Sequence, residues 1–93
     1  MMMLLAYTPH TLVKLEQLLK SLDYKVRYDK GNFKTGACVV DQNKIIVVNK
    51  FASLESKIMA LTEMIQNFNV DESLLSENQI HFFKLLKQTR IQF

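Results

Sequence analysis

From Thr8 onward the chain switches between two hydrophobic rhythms, one helical and one strand-like. Leu12, Leu15, Leu18, Leu19 and Leu22 recur at intervals that lay one stripe along a helix. Thr8 stands where it can cap that helix, and Pro9 suits its first turn, whose N–H groups have no intrahelical partner. A helix over 9–22 is predicted, with Glu16 and Lys20 paired on its outer side. Tyr24 to Asp29 then alternates, Tyr24, Val26 and Tyr28 facing one way and Lys25, Arg27 and Asp29 the other, as in a half-buried strand. Lys30-Gly31-Asn32 is a turn signal. A second strand is predicted over 33–40, with Gly36 marking a bulge or a close backbone approach. After a turn at 41–44, Ile45-Ile46-Val47-Val48 is an unbroken β-branched run, expected of a strand covered on both faces.

The helical period returns at Ser53, a capping residue with Glu55 placed in the first turn behind it. Leu54, Ile58, Leu61, Ile65 and Phe68 form its apolar stripe, widened by Ala60 and Met64. That helix should end near Asn67 and connect through 67–71 to a final helical region over 72–89. The last region is predicted to break near Ser76, where Ser76-x-x-Gln79 spells a capping box. Its apolar arc is wide, comprising Leu75, Phe82, Phe83, Leu85 and Leu86. The predicted fold is a single α+β domain over 1–93: a helix, a three-stranded antiparallel meander, then two helices packed on one face of the sheet. One helix layer leaves a face or an edge to be covered. The unalternating strand and the wide last helix point to a second copy as the cover, so a homodimer is expected.

Composition narrows the setting. With 48% hydrophobic and 23% charged residues the chain is globular rather than disordered, and 93 residues make one domain. Cys38 is the only cysteine, so no internal disulfide can form and a reducing, cytoplasmic home is expected. The start, Met1 to Tyr7, is apolar but lacks a basic flank and is at once followed by Thr8-Pro9; it reads as a frayed start or a short strand, not a signal peptide. No apolar run approaches the roughly 20 residues of a membrane span. The net charge of +3 is mild. Lys25, Arg27, Lys30 and Lys34 lie on the first hairpin, and Lys84, Lys87 and Arg90 follow at three-residue spacing on the last helix; either group could contact phosphates. A weak nucleic-acid binder using the last helix is therefore the alternative function. Asp29, Glu63, Asp71, Glu72 and Glu77 dilute the positive field, which favours a solvated surface.

No catalytic, metal or cofactor site is complete. Zinc needs converging Cys, His or carboxylate ligands, whereas His10 and His81 fall on different helices without a partner one turn away. Cys38, beside Val39 and Val40, reads as a buried small hydrophobe rather than a nucleophile. There is no nucleophile elbow and no phosphate-cradling glycine loop.

One segment carries a scar. Leu61-Thr62-Glu63-Met64-Ile65-Gln66 lies on the second helix, where zincins carry H-E-x-x-H with two zinc-binding histidines and a general-base Glu. Here the Glu position is filled by Glu63, and the ligand positions hold Thr62 and Gln66. The order of elements, and the stretch from Gly36 to Asn49 with its I-x-V-N strand, resembles the core of the ImmA/IrrE-type minigluzincin peptidases over about residues 20–68. That resemblance implies a peptidase scaffold that has lost its zinc and its activity. The family's third ligand, a Glu on the closing helix, has no counterpart, since residues 78–93 contain no acid. Tyr28 to Gly36 and Ile46 to Phe51 also resemble a family of short bacterial proteins of uncharacterised activity, which implies a fold and no chemistry. On periodicity alone, Thr62, Glu63 and Gln66 are the polar side of an amphipathic helix. The expected function is a non-catalytic interaction or regulatory domain on a degenerate metallopeptidase-like scaffold, with a residual hydrolase using an unconventional site around Glu63 as the second hypothesis.

Overall fold

The computed structural model describes residues 5–40 and 43–89, with the side chains of 37–40 excepted. Helix α1 spans Pro9–Ser21 and begins as its sequence requires, Thr8 Oγ1 accepting the Thr11 N–H at 3.2 Å. Asp23, with φ of 69°, turns the chain into strand β1, Tyr24–Asp29. Strands β2, Gly36–Val40, and β3, Asn43–Asn49, follow. Helix α2 is Leu54–Asn67, capped by the Ser53 hydroxyl. A short 3₁₀ turn at Glu72–Leu74 precedes helix α3, Glu77–Gln88. The expected capping box is formed there: Ser76 Oγ accepts the Gln79 N–H at 3.2 Å and Gln79 Oε1 accepts the Ser76 N–H at 3.0 Å.

The α+β class holds, but the sheet is not an antiparallel meander. Its strand order is β1-β3-β2, with β3 central. β1 runs parallel to β3, from Tyr24 opposite Lys44 to Asp29 opposite Asn49. β2 runs antiparallel to β3, from Gly36 opposite Val47 to Val40 opposite Asn43. Two physical reasons account for the difference. Residues 30–35 are not strand, so β1 and β2 are joined by a connection long enough to leave a slot between them. Asn49 then holds that connection: its Nδ2 donates to the carbonyls of Gly31 at 3.1 Å and Phe33 at 2.7 Å, and its backbone N–H donates to Thr35 Oγ1 at 3.1 Å. The β-branched run of β3 fills the slot. It signals a central strand, with Ile46 and Val48 fully buried under the helices and Ile45 and Val47 half-buried on the opposite face.

The helix layer also differs from expectation. α1 packs on β1 and α2, and α2 packs on α1, β2 and α3. The two helices on the sheet are thus α1 and α2, while α3 closes over α2. The core joins Leu15, Leu18 and Leu19 of α1, Ile46 and Val48 of β3, Ile58, Leu61 and Ile65 of α2, and Phe82, Phe83 and Leu86 of α3. Most of the broad arc is consumed internally: Leu75 ahead of α3 and Phe82, Phe83 and Leu86 on it are buried, Leu85 is half-buried, and Lys14 Nζ lies 4.5 Å from the Phe82 ring centre. Residues 1–4 of the apolar start lie outside the described residues, and Leu5 to Tyr7 form no strand, although Leu5 is buried. Among the described residues, no helix is long and apolar enough to cross a membrane.

Candidate docking cleft beside helix α2

Helix α2 presents two faces. Ile58, Leu61, Thr62 and Ile65 enter the core. Ser56, Ala60, Glu63, Met64 and Asn67 follow one another at helical spacing on another face and line an open cleft of about 760 Å³. The facing wall is the segment Phe33, Lys34 and Thr35, which leads into β2, with Asn49, Ala52 and Phe68 completing the lining. Phe68 is held by Tyr24, the two rings stacked at 4.7 Å and 1° from parallel. The cleft wall is therefore fixed from both sides, by the Asn49 clamp at 31–35 and by the Tyr24–Phe68 stack.

The three residues of the H-E-x-x-H-like stretch go to three different environments. Thr62 is fully buried and its Oγ1 has no hydrogen-bond partner. The sequence placed it on a polar flank; its i−4 and i+3 neighbours, Ile58 and Ile65, are core residues, so it lies on the buried stripe with its methyl group. Gln66 is half-buried and turned to α3, where Nε2 donates to the carbonyls of Leu86 and Thr89, both at 2.6 Å. Only Glu63 is exposed and lines the cleft. It makes no ion pair among the described residues. The two would-be ligand positions thus do not converge with Glu63 on a shared point.

The other expected site residues are dispersed. His10 and His81 are exposed, on α1 and α3. Cys38 sits at the middle of β2 opposite Ile45, and its side chain lies outside the described residues. Among the described residues, no group of three His, Cys, Asp or Glu comes together as a metal site would require. On the last helix Lys84 is exposed, Lys87 turns back so that Nζ donates to the Gln66 carbonyl at 3.0 Å, and Arg90 lies outside the described residues. Of the first-strand cations, Arg27 is paired with Asp29 at 2.6 Å.

Two contacts were not legible as such. Asn49 reads in sequence only as the residue ending a β-branched run, yet it organises the cleft wall. Glu16, placed by periodicity beside Lys20, instead accepts a hydrogen bond from the Tyr28 hydroxyl. Burial, that hydrogen bond and the Glu16 charge together push the Tyr28 phenol above its usual range. No family model, curated protein or solved structure matches the chain.

Proposed function

We propose that the protein is a non-catalytic interaction or regulatory domain of the cytoplasm, built on a degenerate metallopeptidase-like scaffold, with the α2 cleft as its docking surface. The observation that carries this reading is the division of labour on α2. Thr62 is spent on the core and Gln66 on α3, which leaves Glu63 as the one member of the three in the cleft and its one carboxylate, with Lys34 on the facing wall. A lone carboxylate can orient a partner, and among the described residues no His, Cys or second acid joins it to hold a metal. The peptidase-like ancestry is supported by one placement: Glu63, at the general-base position of the resemblance, is the one member of the three that faces the cleft.

Metal content and hydrolysis test the reading together. The purified chain is expected to carry no stoichiometric zinc, to unfold identically with and without chelator, and to leave a fluorogenic peptide library intact. Bound zinc, or cleavage that Glu63→Gln abolishes, overturns it.

A further inference from the structure

The two edges of the sheet are unlike. β1, one edge, carries Lys25, Arg27 and Asp29, charges of the kind that keep an edge from pairing with another chain. β2, the other edge, reads Gly36-Ala37-Cys38-Val39-Val40 and carries none. An uncharged, β-branched edge strand readily pairs with another strand. The cleft lies against this same edge, because its wall at Phe33–Thr35 runs directly into β2 and α2 packs on β2. Edge and cleft form one continuous surface without charged protection on the strand.

We propose that a second copy of this chain covers that surface, the two β2 strands pairing antiparallel to continue the sheet as β1-β3-β2-β2-β3-β1. This rests on the docking reading of the cleft and names its partner. Self-complementarity points to a copy rather than a foreign segment. A two-fold interface sets the same patch against itself, so it must tolerate its own charges. β2 brings none, and the cleft brings one of each sign, Lys34 and Glu63. The two-fold relating antiparallel strands in one sheet is perpendicular to it, so both helix layers fall on the same side. The two open clefts then lie on the same side of the continued sheet, and Ser56 and Ala60 leave room on the α2 wall for the mate. Of the two dimer cues read from sequence, the wide α3 is largely buried within one chain, while Ile45 and Val47 of β3 stay half-buried on the face opposite the helices; the β2 edge and α2 cleft are the surface a copy would cover.

The register is fixed by full overlap. A five-residue strand paired with its own copy puts its third residue opposite itself, and in β2 that residue is Cys38. Opposed residues of antiparallel strands have Cα atoms about 4.5–5.5 Å apart and side chains on one face, within the roughly 4.4–6.8 Å that a disulfide spans. Mild oxidation of the wild-type protein, followed by non-reducing electrophoresis, is expected to convert most of it to a cross-linked dimer. Sedimentation of the reduced protein should show a dimer, and Ala60→Arg, which fills the cleft without touching the core, should raise its dissociation constant at least tenfold. A reduced protein that stays monomeric at micromolar concentration overturns the inference. So does a dimer that neither cross-links through Cys38 nor responds to Ala60→Arg, since it would use another face. Neither result bears on the non-catalytic reading, which fails only if zinc or hydrolysis is found.

Discussion

Gln66 and Leu86 are joined across the α2–α3 contact: the Gln66 amide nitrogen lies 2.6 Å from the Leu86 carbonyl oxygen and equally close to that of Thr89. These are carbonyls at the end of a helix, where no intrahelical N–H remains to satisfy them. The service is mutual, because Lys87 of α3 donates to the carbonyl of Gln66 in the last turn of α2. Gln66 therefore works as a cap for the neighbouring helix. Gln66→Ala is expected to cost about 1–3 kcal/mol, the range for leaving buried acceptors unsatisfied. Gln66→Glu should be worse at neutral pH, since its carboxylate faces two carbonyls at the negative end of a helix, and should recover partly on acidification. Urea titrations at pH 7 and pH 5 check both.

Thr62 offers the opposite case. Its hydroxyl is buried without a partner, a condition that costs free energy. Thr62→Val keeps the shape and removes the polar atom, so it should stabilise the protein by about 1 kcal/mol. A urea midpoint lower than wild type would show that the hydroxyl is satisfied after all.

The Asn49 clamp predicts a larger loss. Asn49→Asp retains the size and the acceptor that receives the Phe51 N–H at 3.0 Å, but not the donor serving Gly31 and Phe33. About 1–3 kcal/mol should be lost, and amide exchange at 33–35 should accelerate more than in the core of α1. Uniform acceleration would show that Asn49 supports global stability rather than the cleft wall.

Gly31 is tied to the same clamp. Its φ is 155°, and a Cβ there would stand 2.9 Å from Phe33 Cδ1. Gly31→Ala must distort the loop or displace the Phe33 ring, at an expected cost of about 1–3 kcal/mol in thermal or urea unfolding. An unchanged midpoint would mean that the ring moves freely and the wall is not fixed.

Local signals in the sequence were faithful and long-range ones were not. Thr8, Ser53 and the Ser76–Gln79 box act as caps because capping depends on residues three positions apart. Strand order depends on which strands exclude most water together, and alternation within Tyr24–Asp29 cannot distinguish a neighbour at β2 from one at β3. The unbroken run of β3 was a sign of centrality that periodicity alone read as two covered faces. The site shows the same limit. Glu63 was visible as a polar helix position, but the opposing wall is set by Asn49 contacts that span 14 to 18 residues.

The Tyr28–Glu16 contact gives a pH dependence whose sign follows from proton binding. In the unfolded chain Tyr28 titrates at its ordinary value of 10.0, while in the folded chain burial, the hydrogen bond to Glu16 and the carboxylate charge hold the proton to higher pH. Between those values the unfolded state binds fewer protons, so stability falls as pH rises. The contribution is fully present below pH 10 and is lost above it. Tyr28→Phe has no phenolic proton and loses the contact with Glu16 at every pH. Its stability should therefore lie below wild type at neutral pH, with the gap closing as pH is raised past 10. Urea unfolding of both proteins across that range checks the difference directly. A gap that stays constant would show that the phenol keeps no preference for its protonated form in the fold, and the hydrogen bond to Glu16 would then not hold in solution.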